Sequence, residues 1–470
     1  MGYEEKQKRT GSQDSGSLEE GYGVHPGAED TRHDAVFGDM EEGGPNFRNV
    51  GWMGATVLMI KSAFGLGVLS IPFVFQAVGI VPGIILIIVV ELIVTWSAFV
   101  LGSFKLNHRE CYSMADVGRI LAGRWGEEFF TFAVCICMLF FSASGMVGVT
   151  TAFNAVTTHA TCTAVWMVVV FVVSFGFASI RTLGKVTWLA WPAFFSILSA
   201  VLVMTIAVGV QDRPNDAPQA PAPWEKDFKI FNKTDFVGGI SAAATVLFAA
   251  AGTPTYFGII SEMREPRLYH RAMLINQTFV TLIYIIIGSV VYWYCGQYVS
   301  QPSLGSAGHI MKKICYGLSI PGLFFSVILW VHIPAKFIFV RLLRGSDHLT
   351  KNSVTHWATW LISSFACTIV AYIIGSAIPI LNSIISLVGA LIAPTLCITP
   401  FGAMWLHDNV KGRNWRSLST WKQAQTAWAI FIILIGMFIT IAGTYGAVVT
   451  IIRQPGEGSP WSCADNSNSV

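Results

Sequence analysis

Of the chain's 470 residues, 53% are hydrophobic and only 12% are charged, and the formal net charge is +3. Ordinary soluble domains are about a quarter charged, so this chain lacks the polar surface that a soluble protein of its length needs. The composition excludes a soluble globular enzyme and gives no reason to expect a nucleic-acid partner.

Residues 1–49 are polar, acidic and rich in glycine. They are expected to be a disordered cytoplasmic tail, with no secretory signal peptide. Residues 50–452 form the expected membrane domain, and 453–470 a short extracellular tail. Within the domain lie eleven apolar runs, at 53–76, 79–104, 129–155, 163–180, 186–209, 236–260, 274–298, 318–342, 355–374, 379–406 and 426–451. About 20 apolar residues cross a bilayer as a helix. The predicted fold is therefore all-α: a multi-pass membrane protein with 11 transmembrane helices. The first two runs nearly touch, and Gly79 and Pro82 supply a tight break between them. The loop after the second run carries Arg119 and Arg124 and has room for a short interfacial helix.

Lysine and arginine set the orientation. They crowd the loops near 105–124, 181–185, 264–271, 336–351 and 411–422, and are sparser in the alternate segments. The positive-inside rule then puts the N-terminus in the cytoplasm and the C-terminus outside. The sequon Asn232-Lys233-Thr234 faces outward on this topology, so Asn232 is a predicted glycosylation site.

Two runs are interrupted halfway through. In the first, Gly65 and Gly67 weaken the helix and Pro72 removes a backbone donor. In the sixth, Gly252 and Pro254 follow Phe248-Ala249-Ala250-Ala251. Irregular backbone at membrane depth survives only where it faces protein or a watery cavity. Amides at a half-helix N-terminus attract a carboxylate, and exposed carbonyls attract an ammonium. An amino acid presents both groups. The predicted substrate site holds the carboxylate on the amides of Gly65, Leu66 and Gly67, and the ammonium on carbonyls around Phe248, Ala249 and Ala251. Simple kinking competes with this reading, because Gly and Pro are common in spanning helices. The pairing of the first and sixth runs favours binding, since a five-helix repeat makes them equivalent.

Charged residues inside runs come next. Lys61 starts one turn before Gly65, about 13 Å into the span at helical rise. A charge there is expensive unless paired, hydrated or neutralised; snorkelling to an interface is the bland alternative. Glu91 lies inside the second run, and two readings stand: part of an ion-coupling network, or a structural neutral acid. Glu262 and Arg264 close the sixth run, as an inner gate or a solvated cap. For Thr151 and Asn154, late in the third run, packing outweighs lining a pathway. Cys135 and Cys137 form a C-x-C inside an apolar run, where packing outweighs metal binding. No metal site, no cofactor motif, no nucleotide-binding loop and no grouping of catalytic residues stands out.

The segment Gly65-Leu66-Gly67-Val68-Leu69-Ser70-Ile71-Pro72, and Phe248 to Gly252 running on into Ser261-Glu262-Met263-Arg264-Glu265-Pro266, resemble the amino acid/auxin permease family of the amino acid–polyamine–organocation transporters. The Glu-Met-x-x-Pro ending is the most specific part of the likeness, which extends over roughly 48–450. It is nearest to the filamentous-fungal neutral amino acid permeases of system N. The resemblance implies an inverted five-helix repeat with discontinuous helices 1 and 6, alternating access, and uptake of neutral aliphatic and aromatic L-amino acids at the plasma membrane. Sodium-coupled relatives tend to carry a small polar residue where Lys61 stands. A lysine ammonium there would act as a tethered cation, so proton symport is expected, with Glu91 as an unassigned proton partner. An amino acid-gated sensor or a channel-like protein is the alternative, although no pore loop or charged ring supports a channel. No obligate protein partner can be read from the sequence.

Overall fold

The computed structural model describes residues 32–34, 38–40, 50–180, 183–218, 222–343, 346, 348, 353–378, 381–412, 418–453 and 460–467; side chains at 32–34, 38–40, 183–189, 382 and 453 are excepted. The chain divides into Met1–Asn46 and Phe47–Val470. In the first unit β1 (Arg32–Asp34) pairs antiparallel with β2 (Gly38–Met40), Arg32 opposite Met40. The rest of the tail expected to be disordered lies outside the described residues.

The second unit is built of helices. The first run is a bent pair, α1 (Trp52–Ala63) and α2 (Leu66–Val78), meeting at 51°. Gly79 alone separates α2 from α3 (Ile80–Asn107). Its φ of +93° suits glycine, and a Cβ there would meet Asn232 N and Ile230 O at 2.7 Å. α4 (Met114–Thr157) starts before the third run. Its first turns carry Arg119, are capped by Ser113 and Asp116, and end in a kink at Ala122 and Gly123. This is the helix for which the loop had room. α5 (Thr163–Ala178) and α6 (Leu183–Val210) follow.

The sixth run is α7 (Phe236–Ala249), a 3-10 turn at Thr253–Thr255 and α8 (Tyr256–Glu262). Then come α9 (Tyr269–Cys295), α10 (His309–Leu343) and α11 (Val354–Ala377). The tenth run is broken too, into α12 (Leu381–Leu391), α13 (Ala393–Cys397) and α14 (Thr399–Asn409), with a 42° bend. The sequence reading had only the first and sixth as discontinuous. Pro394 and Pro400 contribute to the third: each lacks the N–H that would continue the helix, and the ladder restarts beside each of them. α15 (Thr420–Arg453) completes the bundle.

Eight of the described helices are long and apolar enough to cross a membrane, and the two bent pairs bring this to ten. The sixteen-residue α5 is shorter. Leu92, Phe99, Val172, Ile206, Ile362 and Ile441 are among the large apolar side chains left exposed, as a lipid-facing surface requires. Inside, α2 packs on α7, α4 on α10, and α12 on both α7 and α15.

Both ends are tied across the bundle. At one end Val50 N donates to Glu262 O at 3.1 Å and Arg264 N to Val50 O at 2.9 Å, while Arg341 pairs with Glu128 at 2.6 Å. At the other, Asn232 N donates to Val78 O at 3.0 Å and Gln211 Nε2 to Ser306 O at 2.9 Å. There too a disulfide joins Cys162 to Cys463 in the C-terminal tail. Thr163 Oγ1 donates to Ala464 O at 2.6 Å and Asn154 Nδ2 to Asn466 Oδ1 at 2.8 Å. Asn154, read as packing, thus anchors the tail.

Candidate functional site

Between the two broken helices lies a cavity of about 40 Å³. From the first break it is lined by Lys61 to Ala63 and Gly65 to Gly67, and from the sixth by Phe248 and Ala249. The first amides of α2 have no partner within the helix and open here as donors. Close approach makes this possible. A Cβ on Gly67 would lie 2.6 Å from Ala249 Cα and 2.8 Å from its Cβ, whereas one on Gly65 would meet only Ser326 Oγ at 3.8 Å. Ala251, the last of the predicted binding residues, is buried but lies outside the lining.

Tyr284 of α9 joins the two breaks. Its hydroxyl lies 2.9 Å from Ala63 O and 3.0 Å from Ala249 O, and its one proton serves both. Each carbonyl sits where a helix has stopped and would otherwise lack a donor. Removing the hydroxyl with Tyr284→Phe is expected to cost about 1–2 kcal/mol and to lower uptake about tenfold at equal surface abundance, read with a radiolabelled amino acid. Unchanged uptake would mean that the breaks hold their shape without it.

Lys61 does not snorkel. It is 5% exposed, and its Nζ donates to Ser326 Oγ of α10 at 2.8 Å and approaches Phe64 O at 3.5 Å. The Phe325 ring lies 5.8 Å away. Among the described residues no carboxylate is within ion-pair distance of it. The ammonium is therefore held by neutral oxygens at the edge of the cavity.

Glu91 lies elsewhere, in a second polar cluster. Gln277 Nε2 donates to Glu91 Oε2 at 3.2 Å, and Asn276 Nδ2 to Gln277 Oε1 at 2.8 Å and to the Tyr256 hydroxyl at 3.0 Å. Glu91 Oε1 and Asn276 Oδ1 are buried acceptors that meet no donor among the described residues. The cluster spans α3, α8 and α9, and Tyr256 also meets Ser62 of the cavity lining. Lys61 and Glu91 are thus linked through intermediaries and share no bond. Glu262 and Arg264 fall outside the cavity, where their backbones grip Val50.

Sequence reasoning missed the opposite wall. Phe141 and Ser144 of α4, and Ser326 and Trp330 of α10, complete the lining. Phe141 packs edge-on against Phe248 at 5.1 Å and tilted against Trp330 at 5.2 Å. The serines among apolar residues were visible as a signal, but not the direction in which they point.

The surrounding fold matches known transporters. The solved structure of MHP1, a nucleobase-cation-symport-1 family transporter in a closed conformation with bromovinylhydantoin bound, superposes with a TM-score of 0.56 at 12% identity, covering 95% of this chain and all of that one. A protein of Fusarium pseudograminearum described as a transmembrane transporter is 34% identical over 98% of this chain and 96% of its own length. The N amino acid transport system protein of Neurospora crassa is 29% identical over 91% of both. The profile of the family described as transmembrane amino acid transporter protein matches residues 48–449, and this chain belongs to that family.

Proposed function

We propose that this protein imports neutral aliphatic and aromatic amino acids across the plasma membrane by proton symport and alternating access. The observation that carries the reading is the cavity between the two breaks, with free amides on one side, a lysine ammonium at its edge and aromatic rings opposite. The amides of Gly65 to Gly67 take the substrate carboxylate, carbonyls near Phe248 and Ala249 its ammonium, and the rings of Phe141, Phe248 and Trp330 its side chain. Among the described residues no carboxylate lines the cavity, which disfavours a cationic side chain. Alternating access would part α4 and α10 from the broken helices as substrate enters and leaves. At the inner end, the Val50 clamp on Glu262 and Arg264 is the contact that would open. Competition for uptake tests the substrate class: leucine and phenylalanine should compete, lysine and glutamate should not. Equal competition by lysine and leucine would reject it.

The orientation is part of the proposal. Cys162 and Cys463 share one side because they are bonded, so an even number of crossings separates them. Counting α5 as a crossing gives that parity, and omitting it does not. The ties at Val50–Glu262 and Val78–Asn232 fit the same eleven-crossing order. A disulfide is at home on the oxidising side, which supports an extracellular C-terminus. Asn232 Nδ2 donates to Gln76 O at 3.0 Å and Ala77 O at 3.4 Å, and a glycan on it would displace these bonds. Its exposed neighbour is the better reporter of sidedness. Lys233→Cys is expected to react with an impermeant maleimide on intact cells, and Arg267→Cys only after permeabilisation. Labelling of both on intact cells would overturn the order.

A further inference from the structure

A second cluster, unused by the transport site, joins α3 to α14 at the end rich in basic loops. His108 caps α3, and His407 and Asp408 sit in the last turn of α14. His108 Nε2 lies 2.9 Å from Asp408 Oδ1, and His407 Nδ1 lies 3.3 Å from the same oxygen. All three atoms fall within 4.8 Å of one another. Their side chains are 13 to 23% exposed, reachable by an ion yet shielded.

The spacing is close to that of ligands around one metal. Bond lengths of 2.0–2.2 Å to nitrogen and oxygen put tetrahedral ligands about 3.3–3.6 Å apart, so the 2.9 Å hydrogen bond has to lengthen by about half an ångström to admit an ion. The supporting groups are also present. Asn107 Nδ2 donates to Asp408 Oδ2 at 3.0 Å, which fixes the carboxylate and leaves Oδ1 facing the histidines. Glu110 Oε1 lies 3.7 Å from His108 Nδ1, and the Phe104 ring lies tilted against the imidazole at 4.3 Å. Metal-bound histidines commonly give their other N–H to a carboxylate, and Glu110 stands near enough to His108 Nδ1 to take it after a small side-chain shift. His108 Nε2 and Asp408 Oδ1 are hydrogen-bonded; in the other imidazole tautomer a bare Nε2 and the carboxylate oxygen can face one divalent cation, which the negative C-terminal end of α14 also attracts. Lys411 Nζ, 3.1 Å from His407 Nε2, is on an exposed turn and can swing away.

We propose that His108, His407 and Asp408 bind a divalent transition metal of the zinc class, with water in the fourth position, and that the bound metal pins α3 to α14. Both elements belong to the transport bundle, and α14 ends its third broken span. Pinning them slows the cycle, an effect that rests on the transport reading; metal binding itself does not.

The test is a Co²⁺ titration of the purified, untagged full chain in detergent. One equivalent should bind, with the visible absorption of a low-symmetry N/O site, and Zn²⁺ should displace it. His108→Ala and His407→Ala should each abolish the band. Asn107→Ala should weaken affinity about 10- to 100-fold, as loss of a supporting group does. No stoichiometric band from the native chain, or a band surviving both histidine substitutions, would overturn the site and leave a hydrogen-bonded cluster only. The native titration decides this even if a variant misfolds. Uptake into proteoliposomes should then fall with Zn²⁺ on the face bearing the cluster, and not in His407→Ala. Stoichiometric binding with unaffected uptake would keep the site and overturn the pinning.

Discussion

Gly67→Val is expected to abolish uptake, while Gly65→Ala keeps most of it. The two glycines are alike in sequence and differ in what faces them. At Gly67 the α2 backbone crosses α7 so closely that a first side-chain carbon would overlap both the Cα and the Cβ of Ala249. Nothing flexible stands there to yield, so the two half-helices must separate. Overpacking of this kind costs about 1–3 kcal/mol, and the separation also spoils the amide and carbonyl positions that define the site. A fall of about 100-fold, equivalent to ~2.7 kcal/mol, is a reasonable size for the combined effect. At Gly65 a methyl group meets only the Ser326 hydroxyl at contact distance. Surface abundance must be measured beside uptake, because a chain that fails to assemble gives the same loss. Equal tolerance at both positions would show that the close crossing is not needed for transport.

Lys61→Asn is expected to uncouple uptake from the proton gradient and to lower it ~10- to 100-fold, in keeping with the 1.5–3 kcal/mol of a hydrogen bond to a charged group. The native protein should take up amino acid faster as external pH falls, at fixed membrane potential, and should ignore sodium. The reason is positional. The ammonium reaches the cavity edge, bonds to Ser326, and has no carboxylate within ion-pair distance among the described residues. A cation held this way can attract the substrate carboxylate or yield its proton as the site rearranges. Native uptake that follows sodium and ignores pH would sink proton coupling. Proton-driven uptake with an unchanged pH profile in Lys61→Asn would remove Lys61 from the mechanism and turn attention to Glu91, whose buried Oε1 meets no donor among the described residues.

The breaks were legible because their causes are local. Gly65, Gly252 and Pro254 interrupt helices by their own backbone chemistry, and the apolar runs around them fix the depth, whereas Gly67 and Pro72, read as parts of the same interruption, lie inside α2. Five of the six predicted substrate residues line the cavity for this reason, while Ala251 lies beyond it. The third break was harder to see. Pro394 and Pro400 look like the prolines in α10, which stays continuous through Pro321 and Pro334. Whether a proline kinks or breaks a span depends on what neighbouring helices offer the freed carbonyls.

By itself, then, the sequence determined a many-helix membrane bundle, the places where its first and sixth spans break, and the family to which those breaks belong. Only the tertiary structure decided which faces meet. A helix that is apolar all round does not mark its inward side, so Phe141, Ser144, Ser326 and Trp330 could not be assigned to the cavity from their spacing. The same holds for contacts made by folding distant segments together. Cys162 and Cys463 are 301 residues apart, Glu91 finds Gln277 across two helices, and His108 meets Asp408 from the far end of the chain. Hydropathy is a property of consecutive residues, whereas these pairings depend on the rotation of each helix about its axis, which the packing of the whole bundle sets.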